Sequence, residues 1–486
     1  MKFLSGYAKI SKSGSPIKVA LVIPPSLELG KTWCPSIPIG LAYLAAVLEK
    51  GGCELVLFDC PALEINHKQL EAKIASFEPD LVGITAVTPT IKSALMVANV
   101  AKEACPNTVV VLGGPHATFM DRQIISEYLD VDIVVRGEGE QTLMELIDHL
   151  FNSGDLQAVS GISFRKNKQI VRTPNRPLIS NLDELPRPAY QYFSLDKYRF
   201  FGKVILPILT SRGCPFQCSY CVSSRMAGKM FRARSPKNVV DELEWLRDVH
   251  GAGAYSFYDD VFTYDKQRAF DICKEMKDRN INLPWDCQTR VDQISKELLA
   301  EMKNANCQLV SFGVESGCPK ILDAVKKRTS IEQNEKGIRL AKEIGFSVAM
   351  SVVIGYPGET TDTLKQTFDF IRRTEPDYVY LCLATPYPGT ELYDLVEDLG
   401  WKVSKDWNNY EMETPVFENP FLSIDLRETR REFYNSFYSW SYILRQSLKG
   451  TFYSQNMART ALNDRLWRIK LPKWFSASIR KLRSQQ

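Results

Sequence analysis

Two features that would place a chain in a membrane or outside the cell are lacking in this sequence. No run approaches the roughly 18 apolar residues that a membrane-spanning helix needs. The first residues, Met1 to Gly6, lack the sustained apolar stretch of a secretory leader. Because the chain nevertheless holds 12 cysteines, a reducing compartment is favoured over a disulfide-linked scaffold. We therefore expect a cytoplasmic protein.

Extremes of composition are also lacking. Charged residues make up 24% of the chain and apolar residues 44%, which excludes a disordered or fibrous protein. A length of 486 residues favours two to four domains with a sizeable core. The net charge of +4 says little about partners by itself.

A fourth metal ligand is missing from the most informative stretch of the chain. Residues 211–221 read SRGCPFQCSYC, with thiols at Cys214, Cys218 and Cys221. Soft thiolate ligands select iron–sulfur clusters, zinc or copper(I). Closed zinc sites use four ligands in paired short spacings, and neither a second cysteine pair nor a nearby histidine is present. A cubane cluster normally takes four cysteines, so three imply one iron left open for a substrate or cofactor.

The stretch before this loop, Val204 to Thr210, reads as a buried strand, so the loop leaves the carboxyl end of a strand, where α/β barrels place their chemistry. Cys-x3-Cys-x-aromatic-Cys in this context resembles the cluster loop of the radical S-adenosylmethionine (SAM) superfamily. The resemblance implies that Cys214, Cys218 and Cys221 bind a [4Fe-4S] cluster and that Tyr220 packs near the adenine of SAM. It also implies that reductive cleavage of SAM yields a 5′-deoxyadenosyl radical, with electrons from a low-potential donor of the ferredoxin or flavodoxin type.

From Val204 to Gly400 a strand–helix pattern repeats six times, which predicts an open, partial (β/α)6 barrel. Its strands are predicted at 204–210, 254–258, 284–288, 309–314, 348–354 and 378–383. The resemblance places SAM contacts where three of these strands end, at Asp259, Glu315 and Ile354. For each carboxylate, capping of the following helix is the alternative interpretation. Cys287 and Cys382 also lie near strand ends, either as hydrogen-atom donors or as small apolar fillers.

Residues 17–152 alternate short β-rich runs with amphipathic stretches, which predicts a doubly wound parallel sheet of five strands. Small residues recur at the strand ends, where backbone can approach a ligand closely. This region, including the run from Pro35 to Ala45, resembles the cobalamin-binding domain that precedes the barrel in many radical SAM enzymes. The cobalamin contacts that we expect are Thr85, Gly113, Gly114 and Glu138.

One departure from the cobalamin-binding pattern concerns the residue that ligates cobalt from below. After Asp59, Pro61 stands where the usual histidine would be. We therefore expect base-off cobalamin with its nucleotide tail threaded into the sheet; a degenerate domain that binds no corrinoid is the alternative. His116, one of four histidines, is either a corrinoid contact or a hydrogen-bonded loop residue.

The end of the chain is basic and aromatic. From Arg445 to Gln486 there are ten Lys or Arg and one acid, a net charge of about +9, which leaves about −5 for the rest. Basic residues interleaved with bulky apolar ones are typical of helices that lie on anionic lipid. Nucleic-acid binding is the alternative, but no RNA-binding module accompanies the tail, and we expect no nucleic acid. Peripheral contact with the inner face of the cell membrane is preferred.

Together these patterns predict five segments: a leader (1–16), a cobalamin-binding-like domain (17–152), a hairpin and Pro-rich linker (153–200), the barrel (201–400) and a helical extension (401–486). The chain resembles the branch that includes anaerobic magnesium-protoporphyrin ester cyclases, hopanoid methylases and archaeal lipid ring synthases. The resemblance implies methylation of a large apolar lipid or tetrapyrrole through cobalamin. Radical ring formation is the first alternative, and a non-catalytic Fe–S or corrinoid-binding sensor is the second.

Overall fold

Residues 14–25, 36–152, 154–200 and 202–468 are described by the structure, a computed structural model. The predicted leader up to Ser13, Pro35 and the basic sequence after Arg468 lie outside these ranges. None of the helices in the described part of the chain is long and apolar enough to cross a membrane.

The first sheet has seven strands in the order β2–β1–β3–β4–β5–β6–β7, of which β1 to β5 are parallel. Its strands are β1 (Lys18–Ile23), β2 (Glu54–Asp59), β3 (Leu81–Thr85), β4 (Val109–Gly113), β5 (Ile133–Val135), β6 (Ile162–Lys166) and β7 (Gln169–Arg172). Its helices are α1 (Ile39–Lys50), α2 (His67–Phe77), α3 (Ile91–Ala104), α4 (Pro115–Phe119), α5 (Asp121–Glu127) and α6 (Glu140–Phe151). The predicted doubly wound parallel sheet is confirmed. Its strand order reverses between β1 and β3, and ligands bind at such a switch point.

The predicted hairpin of the linker is part of this sheet. Strands β6 and β7 pair antiparallel with each other, and β6 pairs antiparallel with β5. The segment 153–200 therefore divides into a sheet edge, up to Arg172, and a connection that leads to the barrel.

The second sheet has the order β16–β15–β14–β13–β12–β9–β8, and β9 with β12 to β16 forms the six parallel strands of a partial barrel. Its strands are β8 (Arg199–Phe200), β9 (Lys203–Ile208), β12 (Ala254–Phe257), β13 (Trp285–Thr289), β14 (Cys307–Glu315), β15 (Ser347–Ile354) and β16 (Tyr378–Leu383); a separate short pair is β10 (Ser211–Arg212) and β11 (Arg232–Ala233). The barrel prediction is confirmed.

The helices around the barrel begin at polar caps that the sequence supplies. Ser235, Asp265, Ser295, Ser330 and Thr360 each accept a hydrogen bond from a first-turn backbone N–H. The helices are α7 (Ser223–Met226), α8 (Pro236–His250), α9 (Lys266–Asp278), α10 (Lys296–Asn304), α11 (Pro319–Ala324), α12 (Ile331–Ile344), α13 (Thr361–Thr374) and α14 (Glu391–Asp398).

The C-terminal extension is helical, as predicted: α15 (Leu426–Phe437), α16 (Trp440–Lys449) and α17 (Phe452–Arg468). Tyr434 and Tyr438 on and after α15 accept hydrogen bonds from backbone N–H groups of β16 (2.9 and 3.3 Å). Helix α17 crosses to the other side of the barrel, where the N–H of Phe452 donates to Gln308 (3.0 Å). The extension thus covers the open edge and part of the interior of the barrel.

The two sheets share one apolar core. It runs from strand β1 and helix α1 through Tyr190 and Phe193 of the connection to the helices and strands of the barrel. The N–H of Ala189 donates to the carbonyl oxygen of Ala42 on α1 (2.9 Å). A second contact joins Lys92 on α3 to Asp406 beyond the barrel (2.8 Å). The carboxyl edge of the first sheet therefore faces the cysteine loop.

Candidate active site

The cysteine loop leaves the carboxyl end of β9 through a turn that requires glycine. Gly213 has a φ of +89°, and a Cβ atom there would lie 2.2 Å from the carbonyl oxygen of Met230, so a larger residue does not fit. The N–H of Cys221 donates to the carbonyl oxygen of Cys218 (3.1 Å). The loop therefore folds back on itself and brings its cysteines into one neighbourhood.

All three cysteines of the loop are half-buried. Burial raises the pKa of the Cys214 thiol to about 11, and the nearby thiols of Cys221 and Cys218 add to the effect. Across the described ranges, no group of three or more His, Cys, Asp or Glu side chains is arranged to hold a metal ion. The donor set is nevertheless three sulfurs without a fourth, which fits a [4Fe-4S] cluster that keeps one iron for another ligand.

The two residues expected around the adenosine of SAM are joined in the structure. Tyr220 packs with Tyr356 in an apolar cluster, and its hydroxyl is hydrogen-bonded to Glu315. Burial, followed by the charge of Glu315, raises the pKa of Tyr220, so the phenol stays a donor. Glu315, with a φ of +70°, also forms a buried ion pair with Lys327 (2.9 Å). Its backbone lies in a sparsely populated region, which is common at ligand sites.

Asp259, one of the expected SAM contacts, makes internal hydrogen bonds in the structure. Its carboxylate accepts hydrogen bonds from the N–H and hydroxyl of Thr210 (3.3 and 2.8 Å) and from the Ser211 hydroxyl. These hydrogen bonds connect the end of β12 to the end of β9. The carboxylate of Asp259 is therefore engaged with groups of the protein itself. The next residue, Asp260, lines the cavity beside the cysteine loop, and burial raises its pKa. The open carboxylate at this strand end is therefore Asp260.

Ile354 ends β15 within the core, and its carbonyl oxygen accepts the N–H of Ala384 (2.8 Å). The turn that follows is held by Glu359, whose Oε2 accepts the N–H of Gly355. The other carboxylate oxygen of Glu359 is buried without a hydrogen-bond partner in the structure. Burial raises the pKa of Glu359 to about 7.

A cavity of about 500 Å³ lies between the two sheets. One wall is the cysteine-loop region, including Arg212, Gly213, Val222, Ser223 and Asp260. The opposite wall includes all four expected cobalamin contacts, Thr85, Gly113, Gly114 and Glu138. Residues on either side of the cysteines and the four expected cobalamin contacts thus line one cavity.

Small residues keep this cavity open. A Cβ atom at Gly40 or Gly137 would meet no atom within 4 Å, so each opens onto free space. At Gly114, φ is +98° and a Cβ atom would lie 2.6 Å from the carbonyl oxygen of Ala86. Leu21, Leu41 and other aliphatic side chains form the inner part of the wall. An apolar recess beneath glycine-lined strand ends fits the tail of a base-off corrinoid.

Glu138 has a role that sequence patterns did not reveal. Its carboxylate pairs with Arg212 (3.2 Å) and Arg232 (2.9 Å), and Arg212 also pairs with Glu140 (2.6 Å). These side chains are nearly buried. The arginine pairs lower the pKa of Glu138 against the effect of burial. These ion pairs hold the loop after β5 against Arg212, which lies two residues before the first cysteine.

His116 and Asp59 lie away from the cavity wall. His116 packs edge-on against Trp407 (5.1 Å between ring centres), and its Nδ1 lies 3.2 Å from the hydroxyl of Thr88. Burial lowers its pKa to about 4. Asp59 ends the edge strand β2 and accepts the hydroxyl of Tyr198. Both side chains have structural partners, in keeping with the hydrogen-bonded interpretation of His116.

Cys287 is fully buried in the barrel core and hydrogen-bonded to Cys307, which matches the apolar-filler interpretation. Cys382 is half-buried near the end of β16. The roles of the arginines at 212 and 232 escaped sequence reasoning. A signal was available for Arg212, because an arginine directly before a metal-binding turn must find an anion when the turn is buried.

A parallel sheet with a strand-order switch, facing a partial barrel whose first loop carries three cysteines, defines a two-domain radical SAM architecture. Two family models match the chain: the B12 binding domain over residues 35–147 and the Radical SAM superfamily over residues 208–371. The chain therefore belongs to the radical SAM family with a B12-binding domain. It is an enzyme of that family, with a [4Fe-4S] cluster, SAM and cobalamin as cofactors.

Named relatives agree with this assignment. A protein of Pyrococcus horikoshii described as an uncharacterized methyltransferase is 36% identical over 425 residues, covering 87% of this chain and 92% of the relative. The anaerobic magnesium-protoporphyrin IX monomethyl ester cyclase of Rubrivivax gelatinosus is 34% identical, covering 80% and 71%. The structure of the radical SAM methyltransferase TsrM from Kitasatospora setae aligns with a TM-score of 0.73 at 19% identity, covering 92% and 100%. The last likeness establishes the shared fold.

Proposed function

We propose that this enzyme methylates an unactivated carbon of a large apolar substrate. When bound, the cluster and SAM supply the radical that removes hydrogen, and cobalamin supplies the methyl group. The observation that carries the proposal is the cavity shared by the cysteine loop and the glycine-lined sheet edge. We expect both cofactors to reach this cavity, as transfer of a methyl group to a carbon radical requires.

The residues that we assign to these cofactors follow from their positions. Cys214, Cys218 and Cys221 hold the cluster, and a donor of the ferredoxin or flavodoxin type reduces it. Tyr220, Glu315 and Asp260 bound the space for SAM. Thr85, Gly113 and Gly114 let the corrinoid approach the strand ends. We extend the corrinoid-binding unit to residue 172, because the hairpin continues the first sheet.

The test is an anaerobic assay of purified protein with a reconstituted cluster, SAM and a strong reductant, with and without added cobalamin. Release of 5′-deoxyadenosine is the result that supports radical chemistry. A product that gains one CH₂ only when cobalamin is present supports methylation. No SAM cleavage by a protein that carries the cluster, or full turnover without corrinoid, contradicts the proposal.

Ring formation on a tetrapyrrole or lipid is the second candidate. It is favoured by the 34% identity to the Rubrivivax gelatinosus cyclase. The mass of the product distinguishes the two outcomes, because ring closure removes hydrogen and adds no carbon.

We further propose that the protein contacts the membrane surface through α16 and the tail. Trp440, Leu444 and Leu448 recur every fourth residue on α16 and are 54%, 63% and 79% exposed. Residues 469–486 add five basic residues and no acid. An apolar stripe followed by a basic segment suits anionic lipid.

Co-sedimentation with vesicles of phosphatidylglycerol and phosphatidylcholine tests the membrane proposal. We expect binding to fall in a chain that ends at Arg468 and in the Leu444→Asp, Leu448→Asp double variant. Leu129→Asp is the matched control, because Leu129 is 76% exposed in another part of the surface. Equal binding by all four forms contradicts membrane contact.

A further inference from the structure

A second cavity, of about 570 Å³, lies inside the barrel. Strands β9 and β12 to β16 form one side of it, and helices α15 and α17 form the other. Drug-sized ligands typically occupy pockets of about 300 to 1,000 Å³. The cavity is therefore large enough for a ring-bearing molecule, and neither the cysteine loop nor the glycine-lined sheet edge takes part in it.

Tyrosine dominates the walls of this cavity. Seven tyrosines line it: Tyr198, Tyr258, Tyr378, Tyr380, Tyr434, Tyr438 and Tyr453. Tyr380, within β16, is 48% exposed, and Tyr258, directly after β12, is 38% exposed. Their rings therefore face open space inside the barrel. Aromatic walls bind flat or bulky apolar rings through stacking and burial.

One carboxylate, Asp286 on β13, lies within this aromatic wall. Its Oδ1 accepts the hydroxyl of Ser256 (2.7 Å) and its Oδ2 accepts the hydroxyl of Tyr453 (2.6 Å). Each carboxylate oxygen can accept two hydrogen bonds, so each has one lone pair left. Burial raises the pKa of Asp286 to about 6, against the effect of both hydroxyls.

The cationic side chain in this wall, Arg430, is already bound to other groups of the protein. Arg430 donates to the carbonyl oxygen of Leu381 (2.9 Å) and pairs with Glu413 (3.1 Å). No ion pair to Asp286 forms among residues 14–25, 36–152, 154–200 and 202–468. The remaining acceptor capacity of Asp286 thus faces the cavity without a protein counter-charge.

Tyr258 lines both this cavity and the cofactor cavity. It directly follows β12, and its hydroxyl is hydrogen-bonded to that of Ser36 on the side of the first sheet. The barrel cavity and the cofactor cavity therefore share Tyr258 in their walls. This adjacency is what a substrate of the proposed reaction needs.

We propose that the barrel cavity binds the substrate, and that the substrate is an apolar ring system whose hydroxyl or amino group donates a hydrogen bond to Asp286. The proposal rests on the proposed function and adds a site and a ligand class to it. Asp286 is a binding residue that fixes the orientation of the ring system. Tyr453 positions Asp286 and links it to α17.

Matched small probes test this site by equilibrium dialysis against the reconstituted holoenzyme. The probes are naphthalene, 1-naphthol and 1-naphthylamine, which share a ring system and differ in the donor. A hydrogen bond to a charged group favours binding by about tenfold or more. We expect a donor-bearing probe to bind at least about tenfold more tightly than naphthalene, and Asp286→Asn to bring that ratio close to one. The naphthol and naphthylamine arms distinguish a hydroxyl from an amino group.

Two further variants keep the test decisive. Tyr380→Trp fills part of the cavity without touching Asp286, so it should weaken all three probes while leaving their ratio unchanged. Asp271→Asn, an exposed carboxylate on α9, should change nothing. Equal binding of naphthalene and both donor probes to the unmodified enzyme overturns the inference, as does an unchanged ratio in a folded Asp286→Asn. Release of 5′-deoxyadenosine is measured in parallel. If 5′-deoxyadenosine is released normally but the three probes bind equally, only the proposed substrate site is refuted. If the donor-bearing probes bind more tightly but no 5′-deoxyadenosine is released, only the proposed function is refuted.

Discussion

At the scale of single residues, the cysteines fall into two environments. Cys273, Cys287 and Cys307 are fully buried in the barrel core, where a thiol acts as a small apolar group. The three loop cysteines are half-buried beside a cavity and share a turn. Position in the loop beside the cavity, rather than number or exposure, therefore separates the proposed ligands from the other cysteines.

Cys218→Ala should abolish cluster binding and radical chemistry. Even partners one shell away from a metal typically contribute 10- to 100-fold in affinity or activity, so we expect losing a ligand to lower 5′-deoxyadenosine release by about 100-fold or more. Iron content, visible absorption and 5′-deoxyadenosine are the measurements. Cys105→Ala, a half-buried cysteine of the first sheet, is the control. Unchanged iron and activity in Cys218→Ala would falsify the ligand assignment.

Glu359 makes the stability of the protein depend on pH. Its pKa is raised from 4.5 to about 7 in the folded state. Between these two pH values, the carboxyl group is therefore protonated in the folded protein and ionised in the unfolded chain. Its contribution to the free energy of unfolding is therefore present below about pH 4.5 and is lost as pH rises to about 7. At about 1.4 kcal/mol for each pKa unit, the loss is about 3 kcal/mol.

Glu359→Gln should remove that dependence. Chemical denaturation at several pH values between the two pKa values measures the difference between the unmodified protein and the variant. We expect the variant to gain stability relative to the unmodified protein as pH rises. A difference that is constant across this range would show that Glu359 does not titrate with a raised pKa.

At the scale of elements, the strand ends of the first sheet depend on glycine for two separate reasons. Gly114 has a positive φ and a backbone carbonyl 2.6 Å from the position of a Cβ, whereas Gly137 has a φ of +73° and free space. A larger residue at position 114 would therefore suffer both backbone strain and a steric clash, whereas one at position 137 would suffer backbone strain alone.

Substitution by alanine separates the cost of the backbone strain from the cost of the steric clash. Gly137→Ala should destabilise the protein by about 1 to 2 kcal/mol, the cost of a left-handed conformation. Gly114→Ala should cost more and should weaken cobalamin binding, because the β3 and β4 ends must move apart. Thermal unfolding and corrinoid retention after gel filtration are the measurements. Equal effects of the two variants would contradict the close approach at Gly114.

Helix α15 packs along the edge strand β16 of the partial barrel. An open barrel leaves β16 as an edge strand, and exposed edge strands invite pairing with other chains. Tyr434 and Tyr438 accept two of its backbone N–H groups, and the Tyr442 hydroxyl donates to the carbonyl oxygen of Asp377 (2.6 Å). Tyrosines of the extension thus protect the edge and, in part, line the proposed substrate cavity.

At the scale of the whole molecule, one ion-pair network connects the two cofactor regions. Arg212 pairs with Glu138 and Glu140 of the first sheet and lies two residues before Cys214. The network therefore links the edge of the first sheet to the cluster loop.

Arg212→Met should leave two nearly buried carboxylates with fewer partners. Removing one partner of a buried pair typically costs about 3 to 5 kcal/mol, which denaturant unfolding measures. We also expect more 5′-deoxyadenosine per product, because the cofactor sites lose their mutual alignment. Arg225→Met, which removes an exposed pair with Glu391 (3.8 Å), should cost less than about 1 kcal/mol. Similar costs for both variants would contradict a structural role of the network.

Sequence patterns predicted the elements far better than the contacts. The strand at Tyr378–Leu383 is found with the predicted bounds, because apolar periodicity is a local property. Local patterns could not tell which of two adjacent carboxylates, Asp259 or Asp260, faces the cavity. That choice depends on Thr210 and Ser211 of a neighbouring strand.

By itself the sequence determined the chemistry that is available. The spacing of Cys214, Cys218 and Cys221, the six barrel strands and the glycines of the first sheet are all encoded within short segments. Only the tertiary structure decided how these parts meet: that Glu138 holds arginines, that Tyr258 lines two cavities, and that Asp286 lies among tyrosines that include those of β16, α15 and α17. Such contacts join residues up to 222 positions apart, and their geometry follows from packing of the whole chain.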